Sequence, residues 1–232
     1  MQIAVIIPTQ AGAPRIDTLL TRIPHQVDGH TISVMVVDDA SKDLSLLDLD
    51  KKPGVRVVRH HTSLGIGAAA KTGCDAAYHL GFDVIALIDP ADQHLSEDIA
   101  ALIRPLLKSS ANRLVIGTVK SEASVGDVAL NSLVSFLFDV KIQDTQAAFR
   151  AFPRSLYPKI RWTSTTATMQ TEMLVLAAKR GITITEVGVG GTVRRKPRKI
   201  KIIERLHLAR TLLRWKVALS RGQESLEPMR AV

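Results

Sequence analysis

The chain has 232 residues, a length that fits one large domain with a short appendage and is too small for two full domains. Hydrophobic residues make up 46%, as in ordinary globular proteins, and aromatic residues only 4%, which argues against a base-stacking surface for single-stranded nucleic acid. The single cysteine, Cys74, excludes an intramolecular disulfide and a cysteine-based zinc site, and it fits a reducing, cytoplasmic compartment.

The positive charge lies near the C-terminus. The net charge is +9, and residues 192–216 contain ten lysines and arginines against one acid, Glu204. This segment accounts for the whole excess, because the remaining charges cancel. A neutral body with a cationic arm predicts an anionic partner for the arm.

Short apolar runs alternate with helical patterns in the first half of the chain. The runs predict buried strands over residues 3–7, 32–37, 55–58, 84–88 and 114–116. Helices are predicted between them over residues 15–22, 66–80 and 96–107, the last beginning at the N-cap residue Ser96. This alternation predicts an α/β protein with a mostly parallel central sheet flanked by helices.

The second half begins with helices over residues 131–138 and 171–179, followed by a strand over 182–189. The cationic arm comes next and predicts a basic amphipathic helix over residues 200–220, with a flexible tail over 221–232. Its predicted apolar face consists of Ile202, Leu206, Ala209, Leu213 and Val217. The main domain is predicted to cover residues 1–199.

Acidic residues follow the second and fourth predicted strands. Asp38 and Asp39 end one strand, and Asp89 and Asp92 follow the other. The carboxyl ends of parallel strands meet at one edge of a sheet, where such folds bind ligands. Carboxylates there could bind a nucleotide and hold Mg²⁺ or Mn²⁺ against a diphosphate. The alternative interpretation is that Asp38 and Asp39 only cap a turn.

A glycine pair, Gly65 and Gly67, opens the second predicted helix. Small residues there allow a ligand to approach the backbone or let the helix pack closely, and the second interpretation is favoured. The stretch lacks the Lys-Ser/Thr pair of a Walker loop and the third glycine of a dinucleotide fingerprint.

Several motifs, taken together and in order, resemble glycosyltransferase family 2, and most closely its polyprenyl-phosphate (dolichol-phosphate) mannosyl and glucosyl transferases. The likeness covers about residues 3–200. The motifs are Ile7-Pro8-Thr9, Val36-Val37-Asp38-Asp39, Leu64-Gly65-Ile66-Gly67, Ile88-Asp89-Pro90-Ala91-Asp92-Gln93-His94, Asp144-Thr145-Gln146-Ala147-Ala148-Phe149-Arg150 and Glu172. The resemblance implies the GT-A fold of nucleotide-diphospho-sugar transferases and inversion at the transferred sugar.

The resemblance also implies roles for individual residues. The nucleotide-binding residues would be Pro8, Thr9, Asp39, Gly67 and Asp89, with Asp92 and Gln93 as ligands of Mg²⁺ or Mn²⁺. The catalytic residues would be Asp89, Asp144 and Gln146. The contacts to the phosphate acceptor would be Arg150, Glu172, Arg194 and Lys199.

The implied activity is transfer of a hexose from a nucleotide sugar, of the GDP-mannose or UDP-glucose type, to a polyprenyl phosphate. The expected location is the cytoplasmic face of a membrane, where the basic helix would bind anionic lipid as a peripheral anchor. A partner membrane protein or a homo-oligomer is compatible with the same arm, and a nucleic-acid partner is not expected.

The metal-binding motif departs from the family pattern. Ala91 stands at the second aspartate of Asp-x-Asp, and Asp92 follows one position late. Gln10 falls where the family has an Asn-Glu pair, and Ala148 replaces a glycine. A second hypothesis is therefore a pseudo-glycosyltransferase that keeps the fold and binds a nucleotide, a membrane or a partner without catalysis.

Overall fold

The apolar runs of the sequence pair edge to edge in one sheet. The computed structural model describes residues 1–10, 13–42, 44–89, 96–108, 112–118, 125–190 and 202–221, and within these ranges the sheet has eight strands. The strands are β1 (Gln2–Thr9), β2 (Gln26–Val27), β3 (His30–Asp38), β4 (Val55–Arg59), β5 (Val84–Leu87), β6 (Arg113–Thr118), β7 (Arg150–Pro153) and β8 (Thr183–Gly188).

The sheet is mostly parallel, as the strand–helix alternation predicts. Its order is β3-β1-β5-β7-β6-β8, and β2 and β4 both pair with β3 at the outer edge. The antiparallel pairings involve only β2 and β7 among the strands of the described ranges. Neither of these two strands is predicted from the sequence, because β2 has two residues and β7 follows a loop without a turn signal.

Seven helices occur in the part of the chain that the structure describes. They are α1 (Ala13–Arg22), α2 (Ile66–His79), α3 (Ser96–Lys108), α4 (Val125–Phe138), α5 (Tyr157–Ile160), α6 (Met169–Lys179) and α7 (Ile202–Ser220), with short 3₁₀ helices at Leu44–Lys51 and Arg154–Leu156. The helices predicted over residues 15–22, 66–80, 96–107, 131–138 and 171–179 are present, and α4 begins six residues earlier than predicted.

Both faces of the sheet are covered, because successive side chains of a strand point to opposite faces. In β1, Ile3, Val5 and Ile7 join the core formed with α1 and α3, while Ala4 and Ile6 join the core formed with α2, α5 and α6. This two-sided burial explains why the central strands are continuous apolar runs.

The last described helix, α7, packs on the body of the protein. Leu208, Leu212 and Trp215 of α7 form a third core with α4 and α6. The predicted apolar face is not the packing face, since Leu213 and Val217 remain 51% and 49% exposed. In the described parts of the chain, no helix combines the length and the apolar character needed to cross a membrane.

Backbone pairing brings four segments to one edge of the sheet. Thr9 at the end of β1 lies opposite Asp38 at the end of β3, and the Asp39 N–H donates to the Thr9 carbonyl at 2.8 Å. In β5, Leu87 lies opposite Arg150, the first residue of antiparallel β7. The acids after β3 and β5 and the loop before β7 therefore meet at the carboxyl edge of the parallel strands.

Candidate active site

A cleft opens at this edge of the sheet. It joins the ends of β1 and β5 to the beginnings of α2 and α6 and to the loop before β7. Among the described residues that line it, only Asp89 and Gln170 carry polar side chains. The lining residues are Pro8, Ile66, Leu87, Ile88, Asp89, Ala148, Met169 and Gln170. The cleft thus unites the predicted nucleotide side with the predicted acceptor side.

Asp39 organises the loops beside this cleft. Its side chain is buried, and polar groups from two separate chain segments lie within 3.0 Å of its two carboxylate oxygens. These groups are Gln10 Nε2, His60 Nδ1, Ser63 Oγ and the backbone N–H groups of Leu64 and Gly65. The carboxylate therefore fixes the segment that leads into α2.

The Asp39 carboxylate stays ionised in this environment. Burial by itself would raise its pKa. The hydrogen bonds from Gln10, Leu64, His60 and Ser63 together outweigh burial and hold the pKa well below its usual value. A fixed negative charge thus lies next to the beginning of α2.

His60 extends the Asp39 network into α2. Its Nδ1 lies 2.7 Å from Asp39 and its Nε2 lies 3.0 Å from Thr72 Oγ1. The two ring nitrogens therefore link the end of β3 to α2. The sequence gives no role in this network to His60, which belongs to no recognisable motif, and it marks Gln10 only as a departure from the family pattern, because their shared partner Asp39 is 29 and 21 residues away from Gln10 and His60 in the chain.

Asp38 caps a turn, so the alternative interpretation of the acid pair is correct for this residue. Its Oδ1 accepts the Ser41 N–H at 2.9 Å, and Arg59 lies 3.4 Å from Oδ2. Arg59 also donates to the Ser41 carbonyl at 2.6 Å. Asp38 is thus part of the structure of the turn, whereas Asp39 faces the loops around the cleft.

Close packing explains the glycine pair. The Gly67 N–H donates to the Thr165 carbonyl at 2.8 Å, and a Cβ on Gly67 would lie 2.5 Å from the Thr166 carbonyl oxygen. Gly65 has a φ of +96° and is also pressed against Thr165. The interpretation favoured from the sequence is confirmed, because the backbone of the 162–168 loop occupies the space beside these glycines.

Glu172 holds that same loop. Its Oε1 accepts the Thr163 N–H at 2.8 Å and the Thr163 hydroxyl at 2.9 Å. Its Oε2 accepts the Ser164 N–H at 2.9 Å and also the Ser164 hydroxyl. The carboxylate is buried and both oxygens are engaged, so Glu172 has the contacts of a loop-fixing residue and not those predicted for an acceptor contact.

Arg150 is buried beneath the loop that precedes β7. Its guanidinium donates to the backbone carbonyls of Ala147 at 2.7 Å, Thr145 at 3.0 Å and Gln170. Burial lowers its pKa to about 9, while Asp144 acts in the opposite direction, so it remains a cation at neutral pH. Its three donor groups are engaged inside the protein, which differs from the predicted contact with an acceptor phosphate.

Asp144 and Gln146 lie in one ordered loop. Asp144 Oδ1 accepts the Gln146 N–H at 2.9 Å, and Gln146 Nε2 donates to Thr171 Oγ1 on α6. Asn131 Oδ1 on α4 accepts the Thr145 N–H at 3.1 Å. These two of the three predicted catalytic residues are thus held between α4 and α6, in the loop before β7.

Four predicted site residues lie outside the described residues: Asp92, Gln93, Arg194 and Lys199. Pro8 and Asp89 line the cleft, and Thr9 is buried next to Pro8. Within the described ranges, no group of three or more His, Cys, Asp or Glu side chains is arranged to hold a metal ion. The ligand set for Mg²⁺ or Mn²⁺ therefore stays a prediction.

The fold belongs to a class of protein structures, the GT-A fold of glycosyltransferases. Glucosyl-3-phosphoglycerate synthase from Mycobacterium tuberculosis, solved with Mn²⁺, uridine diphosphate and phosphoglyceric acid, is similar with a TM-score of 0.74 and 19% identity. The match covers 95% of this chain and 78% of that one. A structure described as a mycobacterial protein has a TM-score of 0.73, with 18% identity over 95% of this chain and 75% of the other.

The sequence comparison identifies the family. The model of glycosyl transferase family 2 matches residues 4–161, which is more than half of the chain. The chain belongs to this family and is a glycosyltransferase. The predicted family and fold are confirmed.

Relatives of the chain include proteins named for lipid-phosphate acceptors. The UDP-N-acetylglucosamine–dolichyl-phosphate N-acetylglucosaminyltransferase of Methanococcus voltae is 26% identical, covering 75% of this chain and 80% of that protein. The polyprenol monophosphomannose synthase of Mycolicibacterium smegmatis is 26% identical, over 82% and 77%. The dolichyl-phosphate hexose transferase of Haloferax volcanii is 28% identical, over 81% of each.

Proposed function

We propose that the protein transfers a hexose from a nucleotide sugar to a polyprenyl phosphate, with inversion at the anomeric carbon. One observation carries this proposal: the cleft brings Asp89, after β5, together with Ala148 of the loop before β7 and with the beginning of α6. The proposal has the donor and the acceptor meet there. The names of three relatives that match at least three quarters of the chain support the choice of acceptor.

The nucleotide would lie along the end of β1, next to Pro8 and Thr9, with its diphosphate near Asp89. Asp39 would act on it through the loop that its carboxylate fixes, because both carboxylate oxygens are already engaged by protein donors. Gly67 would contribute by letting α2 pack closely enough to complete the wall of the cleft.

The residues fit a hard divalent cation through the chemistry of their donor atoms. Asp89 offers a carboxylate in the cleft, and the nearby Asp92 and Gln93 would add a carboxylate and an amide oxygen, the donors that Mg²⁺ and Mn²⁺ prefer. When bound, such an ion neutralises the charge that develops on the leaving nucleoside diphosphate. The solved GT-A structure that contains Mn²⁺ supports this assignment by fold.

The acceptor needs little activation, since a lipid phosphate is already anionic at neutral pH. A phosphate oxygen attacks the anomeric carbon from the side opposite the diphosphate, and the bond between that carbon and the diphosphate oxygen breaks with its electron pair. The configuration inverts, and no proton has to be removed from the nucleophile. Positioning and charge stabilisation would supply the catalysis.

The loop before β7 would orient the acceptor. Asp144 and Gln146 belong to this loop, and we assign them the contacts nearest the reacting phosphate. Arg150 and Glu172 would be positioning residues, because their charged groups are buried and hold the two loops from behind. Arg194 and Lys199 would bind the phosphate oxygens of the acceptor.

A peripheral position at the cytoplasmic face of a membrane is part of the same proposal. Leu213 and Val217 are about half exposed on α7, and Arg210, Arg214 and Lys216 lie exposed on the same helix. Each cation near an anionic lipid surface contributes about 1 kcal/mol. Flotation with phosphatidylserine vesicles tests this part: the variant with Arg210→Glu and Arg214→Glu should float far less, and unchanged flotation would refute it.

Transfer of labelled sugar to polyprenyl phosphate in detergent tests the activity directly. GDP-mannose, UDP-glucose and UDP-N-acetylglucosamine serve as donors, with and without Mn²⁺, and Asp89→Asn should reduce transfer by about 100-fold or more. Asp48→Asn is the matched control, since Asp48 lies on the surface and pairs with exposed Lys51. Equal transfer by the Asp89 variant and wild type would refute the assignment of Asp89.

The second candidate function is a pseudo-glycosyltransferase, which the alanine at position 91 favours. Such a protein would bind a nucleotide or a nucleotide sugar in calorimetry but would transfer no sugar to any lipid phosphate. Restoring Asp-x-Asp with Ala91→Asp distinguishes the two. Gain of transfer only in this variant would support the pseudo-enzyme.

A further inference from the structure

Gln170 lines the cleft and carries a buried amide oxygen without a partner. The residue is only 4% exposed, and its Oε1 is buried without a hydrogen-bond partner in the structure. It is the second residue of α6 and one of the two polar side chains among the described residues that line the cleft. A buried amide oxygen without a partner costs free energy, so its retention at this position calls for an explanation.

The backbone around Gln170 is held rigidly. Arg150 donates to the Gln170 carbonyl from behind, and Glu172, two residues later, holds the loop in front of α6. The Gln170 N–H donates to the Ala167 carbonyl at 3.3 Å. The side chain is therefore presented from a fixed position, which is what a group that orients a ligand requires.

The chemistry of the site selects a hydroxyl group as its partner. An amide oxygen accepts hydrogen bonds, and a phosphate at neutral pH offers oxygens that also accept, so phosphate is a poor partner. A hydroxyl can donate to the amide oxygen, which is the unpartnered atom of Gln170. The apolar neighbours Met169, Ile88 and Ala148 would keep water from competing with it.

We infer that Gln170 is a specificity-determining residue that accepts a hydrogen bond from a hydroxyl of the transferred sugar. This inference rests on the proposed function, which places the leaving diphosphate at Asp89 and the acceptor at the loop before β7. The transferred sugar must lie between them, and Gln170 lines the cleft together with Asp89 and Ala148. The ribose of the nucleotide is the other possible source of a hydroxyl.

Titration calorimetry with Gln170→Met separates these sources. Methionine keeps the length of the side chain and removes the amide. For whichever of UDP-glucose, GDP-mannose and UDP-N-acetylglucosamine the wild type binds, the variant should bind about tenfold more weakly, while its affinity for UDP or GDP alone stays unchanged. Gln26→Met, on an exposed residue of β2 at the far edge of the sheet, is the matched control.

A thermal unfolding measurement distinguishes ligand recognition from a role in the fold. Removing an unsatisfied buried amide should raise the midpoint of Gln170→Met by about 2–4 °C, whereas a structural amide would lower it on removal. Wild-type affinity for the sugar nucleotide in the variant, equal weakening for UDP and GDP, or a lowered midpoint would each overturn the inference while leaving the proposed function intact. Failure of the wild type to bind any sugar nucleotide would overturn both.

Discussion

The two sides of the cleft are built around buried charges of opposite sign. On the side proposed to bind the nucleotide, the Asp39 carboxylate accepts hydrogen bonds from Gln10, His60 and the loop that leads into α2. On the side proposed to bind the acceptor, the Arg150 guanidinium donates to carbonyls of the loop before β7 and of α6. The buried anion accepts hydrogen bonds from N–H groups, and the buried cation donates hydrogen bonds to carbonyl oxygens. The loops on the two sides therefore turn opposite ends of their peptide groups towards the buried charge.

This comparison shows that the charged group of a motif residue can be engaged entirely within the protein. Asp39 and Arg150 are both buried with their polar atoms engaged, while Asp89 and Gln170 line the cleft. The buried charges determine where the loops lie, and the cleft residues would act on the ligands. Substitution of a buried charge should therefore lower mainly the stability of the protein. Substitution of a cleft residue should weaken mainly ligand binding.

The largest effect is expected from Arg150→Met. The substitution leaves the carbonyls of Thr145, Ala147 and Gln170 without their buried donor, so the free energy of unfolding should fall by about 3 kcal/mol. Urea unfolding followed by circular dichroism measures it. Arg56→Met, at an exposed residue of β4, is the control and should change stability by less than about 0.5 kcal/mol. A neutral effect of Arg150→Met would contradict the role given to this guanidinium.

A smaller loss, about 2 kcal/mol, is expected from Asp39→Asn, since several donors would face an amide in place of a carboxylate. Asp48→Asn on the surface is the control. Nucleotide affinity should also fall about tenfold, because the loop before α2 loses its anchor. Similar nucleotide affinity in the variant and the wild type would show that Asp39 does not support nucleotide binding.

The difference in stability between the wild type and Asp39→Asn should depend on pH in a defined direction. The pKa of Asp39 is lowered in the folded protein, so its carboxylate contributes stability above the unfolded pKa, near 3.8, and that contribution fades as the pH falls further. The stability advantage of the wild type over Asp39→Asn should be constant from pH 7 to about pH 5 and shrink below about pH 4. An advantage that grows on acidification would contradict the assignment of the lowered pKa.

The smallest effect is expected from Gly67→Ala, about 1–2 kcal/mol of unfolding free energy, because the new Cβ would press on the Thr166 carbonyl and push the 162–168 loop outward. Gly188→Ala is the matched control, since a Cβ at Gly188 meets no atom within 4 Å. Thermal unfolding of the two variants measures the difference. Equal midpoints would show that the loop yields to the methyl group without cost.

The sheet and its helices could be predicted from local patterns, whereas the connections between loops could not. Apolar runs mark β1, β3 and β5 because each is buried on both faces, and the motif aspartates after them mark the ligand edge. The hydrogen-bond partners of Asp39, Arg150 and Glu172 come from other segments that approach only in the folded chain. The sequence could therefore indicate that these three residues are important but not that they are buried. Gln170 carries no local signal, since its environment arises only when α6 meets the loop before β7.

The packing of α7 has a consequence for spectroscopy. Trp162 and Trp215 are the two tryptophans of the chain, and each is 1% exposed. Trp162 lies in the core beneath α2 and α6, and Trp215 lies where α7 meets α4 and α6. With Trp162 replaced by phenylalanine, the fluorescence emission of Trp215 would report on α7 alone: a blue-shifted spectrum while the helix stays docked, and a red shift if it leaves the body when lipid is added.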